Sequence, residues 1–293
     1  MHKIIVITGP TAVGKTKLSI ELAKKYDGEI INADAVQVYK GLDIGSAKVT
    51  EEKKEGIPHH LLDFKEVTEE YTIYHYQKDC REKIKDIQSR NKTPILVGGT
   101  GLYIKSALYD YKLSEEKNTN TYDNLTNEEL YEELKKLDKD IIIDKDNRRR
   151  LIRAINYYKE NNESINKNKT NKLLYNVIFI GLTTDRQVLY DKINKRVDEM
   201  ISQGLLEEVK SFYDKGIKSK PLLNAIGYRE LYNYLDGNYT KEEAIEKIKQ
   251  NSRHYAKRQY TFFNHQLPVV WFETDYNNFN NTIEKVASYI DSN

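Results

Sequence analysis

Residues Gly9–Thr16 read GPTAVGKT and satisfy every fixed position of the pattern G-x-x-x-x-G-K-[ST]. No other feature restricts the fold as much. The pattern works only as a turn between a buried strand and a helix, where loop N–H groups and the helix N-terminus converge on an anion. Both neighbours are present. Lys3–Thr8 (KIIVIT) is a continuous apolar run that reads as a buried parallel strand. Lys15–Tyr26 carries Leu18, Leu22 and Ala23 on one face and reads as a helix. Gly9, Pro10, Thr11, Ala12, Val13, Gly14, Lys15 and Thr16 are therefore expected to hold the phosphates of a diphosphate or triphosphate. Lys15 adds a point charge, and the Thr16 hydroxyl is placed to ligate Mg²⁺.

The remaining pattern extends the same architecture. Glu29–Ala33 reads as a second strand. Ile73, Tyr76, Cys80, Ile84 and Ile87 recur at threes and fours, which predicts a helix over Glu70–Ser89. Pro94–Val97 is a further buried strand closed by Gly98-Gly99. Strand–helix alternation of this kind predicts an α/β fold, a P-loop NTPase-like parallel sheet with flanking helices. From Tyr111 to about Lys172 the chain turns polar and loses strand runs, with helices expected at Asn127–Leu137 and Asp146–Lys159 and a loop over Asn161–Lys172. Residues 112–172 thus read as a mostly helical insertion between two parts of a catalytic core, 1–111 and 173–293. A strand returns at Val177–Leu182, followed by helices at Asp185–Tyr213, Tyr228–Leu235 and Lys241–Asn264 and a last strand at Val269–Phe272.

Composition narrows the setting. The 47 basic and 45 acidic residues leave a net charge of only +2, so any nucleic-acid footprint must lie in local clusters. Two exist: Asn147–Arg153, with Arg149, Arg150 and Arg153, and Arg253–Arg258, with Lys257 between its two arginines. The single cysteine rules out an internal disulfide. No apolar run approaches the roughly 18 residues a membrane span needs, and MHKIIVITGP does not read as a signal peptide. A cytoplasmic protein without membrane attachment is expected.

A phosphate loop alone does not name a reaction. Asp34 stands at the end of the second strand, where ligands bind in open parallel sheets. It can serve as a general base or metal ligand, or simply cap the following turn. Asp43–Lys48 reads as a loop of small residues ending in lysine, and Gly98–Tyr103 as a flexible turn able to approach a ligand closely. Arg253–Gln266 gathers Arg253, Lys257 and Arg258 on one helical stretch, which alone reads equally as a solvated basic face.

Taken together, the segments GPTAVGKT, DAVQVYKGLDIGSAK, GIPHHLLD, PILVGGTGLYI, DNRRRLIRAIN, IGLTTDR, RVDEMISQGLLEEV, AIGYREL and RHYAKRQYTFF strongly resemble the tRNA dimethylallyltransferase (tRNA isopentenyltransferase) family. The likeness runs in order along nearly the whole chain, apart from Lys112–Asp140. It implies transfer of a dimethylallyl group from dimethylallyl diphosphate to N6 of adenosine 37, beside the anticodon of tRNAs that read U-starting codons, with Mg²⁺ required. In that reading the phosphate loop holds diphosphate. Thr11 and an arginine, for which Arg229 of the GYRE segment is the candidate, assist the leaving group, and Asp34 takes the proton from N6. Asp34, Ala35, Val36, Gln37 and Thr100 would meet the flipped adenosine. Arg149, Arg150, Arg153, Arg253, Lys257 and Arg258 would bind the anticodon stem-loop.

The chain departs from the family in two places: Ala35 replaces the usual serine after the aspartate, and Ser46 a threonine. His59 and His60, being adjacent on an extended segment, point to opposite faces and suit one metal site poorly. Cys80 and Trp271 read as core. No C-x₂-C…H pattern follows the last strand, so a bacterial-type enzyme is expected; nothing in the sequence suggests an obligate dimer, and a monomer is expected. Two alternatives stand beside this reading. One is an ATP-dependent small-molecule kinase using the same loop; the other is an RNA-binding protein that uses the loop as a switch.

Overall fold

The computed structural model describes residues 3–111, 113, 122–166 and 172–293. They form two compact units, Met1–Ala107 with Tyr175–Asn293, and Leu108–Leu174. The expected edge at residue 112 and residues 167–171 of the expected loop lie outside the described residues.

The first unit is built on six parallel strands: β1 (Ile4–Thr8), β2 (Gly28–Asn32), β3 (His59–His60), β4 (Thr93–Val97), β5 (Val177–Thr183) and β6 (Val270–Glu273). Their spatial order is β3-β2-β4-β1-β5-β6. The two sides of β1 are covered by strands distant in sequence, with Ile5 opposite both Ile95 and Ile178. Every residue of β1 is buried, as a strand sandwiched between helical layers requires. Because all strands run the same way, the turns after Thr8, Asn32 and Val97 emerge at one edge of the sheet.

Helices α1 (Lys15–Lys25), α2 (Glu51–Lys54), α3 (Ile73–Ser89) and α4 (Gly101–Leu108) accompany the first four strands. In α1, Leu18 and Leu22 are fully buried, while Lys24 and Lys25 sit on the last turn, where the helix dipole favours cations. Helix α3 starts at Ile73, not at Glu70, because the Thr72 and His75 side chains form a capping box. Cys80 is fully buried on its apolar face, and burial pushes its thiol up to about 12. Leu102–Tyr103, expected to be flexible turn, belong to α4: the turn closes at Thr100, and Ile104, Ala107 and Leu108 bury its inner face.

The second unit holds α5 (Asn127–Leu137) and α6 (Arg148–Asn161). Leu130, Leu134, Leu151, Ala154 and Ile155 form its own core. Thr126 and Glu129 cap α5 reciprocally, and the Arg148 guanidinium donates to the Tyr122 and Leu125 carbonyls at 2.6 Å each. Arg149 and Arg150 are exposed on α6, and Arg153 is half-buried.

The first unit resumes with α7 (Arg186–Ser202), α8 (Leu205–Tyr213), α9 (Lys220–Asn224), α10 (Tyr228–Leu235), α11 (Lys241–Gln266) and α12 (Phe279–Ser292). Asp185–Tyr213 is therefore not one helix. Gly204, at φ 100°, breaks it into α7 and α8, a conformation that costs a side-chain-bearing residue 1–2 kcal/mol or so. Trp271 is not core either. It lies on edge strand β6, partly exposed, packed on Gly181 and against Tyr260 at 5.4 Å between ring centroids. Helix α12, which the sequence reading did not include, is amphipathic; Thr282, Val286, Ala287 and Ile290 seat it on the core.

Candidate active site

A cavity of about 600 Å³ opens at the sheet edge where the phosphate loop, the Asp34 turn and the Gly98–Thr100 turn meet α7, α10 and α11. Its chemistry differs from wall to wall.

The first wall is an anion cradle. Lys15 Nζ lies 3.0 Å from the Gly9 carbonyl and 2.6 Å from that of Pro10, folded back over its own loop. Burial, and then the Arg196 charge, pull its pKa down to about 7 against the opposing pull of Asp34. Thr16, at the second position of α1, exposes its side chain to the cavity. Arg196, a residue the sequence reading passed over, donates from Nη1 to Thr11 Oγ1 at 3.1 Å. Burial also lowers its pKa, against the pull of Asp34. The signal for it was a cation inside an apolar stripe: Ile193, Arg196, Val197 and Met200 share one face of α7 and line the cavity together. Arg229, the arginine expected at the leaving group, also lines the cavity, but at the first turn of α10, exposed and tied to Glu230 at 2.7 Å. Glu230 is 2% exposed and also binds Asn251 and the Gly227 N–H, so it fixes this wall.

The second wall carries the acid. Asp34 Oδ1 accepts the Val36 N–H at 2.8 Å and the Gln37 N–H at 3.3 Å. The turn-capping role and a place in the cavity thus coexist, since one carboxylate oxygen closes the turn. The orientation of Asp34 owes nothing to a hydroxyl at position 35, and the Ala35 N–H is taken instead by Thr100 Oγ1 at 3.1 Å. Gln37 donates its amide to the Ser46 carbonyl at 3.0 Å, so its oxygen is the atom left to accept from a ligand. The Ser46 hydroxyl itself donates to the Leu42 carbonyl at 2.5 Å, a bond serine makes as well as threonine.

The loop carrying Ser46 is gripped from α8. Glu208 accepts the N–H groups of Asp43, Ile44 and Gly45 at 3.1, 2.8 and 3.1 Å, and the Tyr228 hydroxyl at 2.5 Å. Three backbone donors on one carboxylate make a strong, charge-assisted clamp. Glu208→Ala is expected to cost about 2–3 kcal/mol of unfolding free energy in a denaturant titration; a change below about 0.5 kcal/mol would mean that the loop holds itself.

The third wall is α11. Tyr255, Arg258 and Gln259 line the cavity, with the Arg258 guanidinium 5.7 Å from the Tyr255 ring centre. Burial and the Asp34 charge raise the Tyr255 phenol to about 12, so it stays a neutral hydrogen-bonding group. Arg253 points elsewhere, donating to Asn194 at 2.5 Å, and Lys257 is exposed. Between these polar walls, Ile193, Val197, Met200, Ala225, Ile226 and Ile248 supply apolar surface.

The two histidines stand apart from the cavity chemistry. His60 Nε2 pairs with Glu29 at 2.7 Å, and His59 Nδ1 lies 2.8 Å from the Ile57 carbonyl. A paired guanidinium, Arg90, holds Glu29 down at about 2.

The same architecture recurs in proteins already described. A family model described as IPP transferase matches residues 37–266. A tRNA dimethylallyltransferase of Anoxybacillus flavithermus is 50% identical over 300 residues, spanning 99% of this chain and 96% of its own. That of Geobacillus thermodenitrificans is 48% identical over 303 residues, with 99% and 96% covered. The crystal structure of a tRNA isopentenylpyrophosphate transferase from Bacillus halodurans superposes with a TM-score of 0.78 at 41% identity, covering 100% of this chain and 96% of that one. A eukaryotic dimethylallyltransferase acting on tRNA gives a TM-score of 0.90 at 29% identity, covering 100% and 79%.

Proposed function

The chain belongs to the IPP transferase family, and from that premise we propose that the cavity transfers a dimethylallyl group from dimethylallyl diphosphate to N6 of adenosine 37 in tRNAs reading U-starting codons. The coarse activity is that of a tRNA dimethylallyltransferase, a prenyltransferase. One observation carries the finer reading: an acid, an anion cradle and an apolar wall face one cavity. Transfer of an allyl group from diphosphate to an amine draws on all three: the cradle for the leaving diphosphate, the apolar wall for the five-carbon group and the acid for the amine proton.

Gly9–Thr16, Lys15 and Arg196 would hold the diphosphate, with Thr11 fixed by its bond to Arg196. The apolar side chains between would take the five-carbon tail. The adenine amine is a weak nucleophile, because its lone pair is delocalised into the ring. As N6 attacks C1 of the allyl group, the C1–O bond breaks, the electron pair leaves with diphosphate, and Asp34 accepts the N6 proton. The cradle opposes the charge growing on the departing oxygens. Gln37 Oε1 would accept the other N6 hydrogen, and Thr100, Tyr255 and Arg258 would line the path of the flipped base.

Among the described residues no three His, Cys, Asp or Glu side chains gather as a metal site. Mg²⁺ suits what remains, since it binds readily through one protein oxygen, substrate phosphates and water. Thr16 would be its protein ligand, and the ion would neutralise diphosphate charge. Arg149, Arg150 and Arg153 on α6 and Lys257 on α11 are the proposed phosphate contacts to the anticodon stem-loop. No helix among the described residues is long and apolar enough to cross a membrane, and we place the enzyme in the cytoplasm as a monomer.

The test is direct. Labelled dimethylallyl diphosphate, Mg²⁺ and a tRNA with A36-A37 are expected to give N6-modified A37 and free diphosphate. ATP consumption in its place would favour the kinase alternative, and RNA binding without product the switch.

A further inference from the structure

Gln259 lines the cavity yet is only 5% exposed, and both ends of its amide are spent on the protein. Its Oε1 accepts the Thr11 N–H at 3.2 Å, and its Nε2 donates to the Gly99 carbonyl at 3.1 Å. Thr11 belongs to the diphosphate loop and is held on its other side by Arg196. Gly99 precedes Thr100, which holds the Ala35 N–H beside Asp34. One side chain therefore joins the loop that would grip the donor to the turn that would meet the acceptor.

The contact is tight as well as polar. A Cβ on Gly99 would overlap the Gln259 amide nitrogen, so the turn rests directly on this side chain. Gln259 also sits one turn beyond Tyr255 on the rigid α11, next to Arg258. A displacement of the Gly98–Thr100 turn or of α11 by a bound base would have this side chain as its route to the Thr11 backbone.

On the reading of the cavity given above, we propose that Gln259 is a positioning residue that couples the two substrates, so that RNA in the acceptor half tightens the hold on diphosphate, and the reverse. Linkage makes the effect reciprocal. A glutamine is required because the link needs one donor and one acceptor. Glutamate of the same shape offers acceptors only, and methionine of the same length offers neither.

The experiment measures binding of inorganic diphosphate with Mg²⁺ to the full-length enzyme, alone and saturated with an anticodon stem-loop hairpin, and hairpin binding with and without diphosphate. In the parent enzyme each ligand is expected to tighten the other about tenfold. In Gln259→Met that factor falls to within twofold of one, whatever the change in each affinity alone. Gln259→Glu still accepts the Thr11 N–H but sets a negative charge against the Gly99 carbonyl and beside the diphosphate loop. It is expected to lose the coupling as well, with diphosphate alone bound more weakly, and it decides the matter should the methionine variant fail to fold. A parent enzyme with no coupling, or a variant that keeps it, overturns the proposal. Transfer by the parent is assayed in parallel: absence of transfer sinks the functional reading, whereas transfer with coupling untouched by the variants sinks only the role of Gln259.

Discussion

Asp34→Asn is expected to slow dimethylallyl transfer about a thousandfold, within the range a positioned general base supplies, while affinity for the anticodon stem-loop changes less than threefold. The asparagine is nearly isosteric, and its Oδ1 can still accept the Val36 and Gln37 N–H groups that close the turn. What disappears is the basic oxygen. The N6 proton becomes acidic only as the C–N bond forms, so its acceptor must already be in place. Single-turnover rates with prebound RNA measure the loss without interference from binding. A variant within tenfold of the parent would show that water or the departing diphosphate takes the proton; a large loss of RNA affinity would make Asp34 a recognition residue.

Arg196→Leu is expected to lower kcat/KM for dimethylallyl diphosphate by about 100- to 1000-fold, the cost of removing one preorganised donor from a developing oxyanion. Leucine continues the apolar stripe of Ile193, Val197 and Met200, so the wall of the cavity survives the change. Because Arg196 binds Thr11, the pair Arg196→Leu and Thr11→Val should combine to less than the product of the single losses. Full multiplicativity would mean that the two act on different parts of the substrate.

Lys15 adds a pH signature to the same variant. In the free cavity its pKa is lowered to about 7, chiefly by burial and then by Arg196. Diphosphate favours the ammonium form and raises that value, so binding takes up a proton. The sign follows: affinity is greatest below about pH 7 and falls as pH rises toward the pKa in the complex. Removing Arg196 lifts the free-state value toward its ordinary one, so this portion of the pH dependence should move to higher pH in a titration of diphosphate binding. An unchanged profile would place the proton on another group.

Most of the parallel core was legible because β1, β2, β4 and β5 are short, largely apolar runs, and because GPTAVGKT fixes what must flank it; β3, made of His59 and His60, carries no such run. The phosphate loop, Asp34, Gln37 and Thr100 could be placed on one sheet edge from the chain direction alone. Arg196 was marked only as a cation within the apolar stripe of Ile193, Val197 and Met200; that it enters a cavity shows only once α7 is seen packed over the loop. Glu208 and Gln259 were hidden for the same reason, since their partners lie 163–165 and 160–248 residues away in the chain. The break at Gly204 was missed because the apolar spacing on either side of it continues almost in phase. Trp271 misled through its size, since a large apolar residue on an edge strand has one neighbour strand to cover it and not two.

The position of β1 has a bearing on how the protein is made. The earliest made of the six strands pairs with β4 and β5, whose residues begin only at Thr93 and Val177. Its four apolar residues, Ile4–Ile7, therefore wait without neighbours on both edges and then on one, while more than half the polypeptide is still being synthesised. Pairings of such long sequence separation are slow to close and expose sticky edges meanwhile. The strand that leads into the phosphate loop is thus the one whose two edges stay open longest during synthesis.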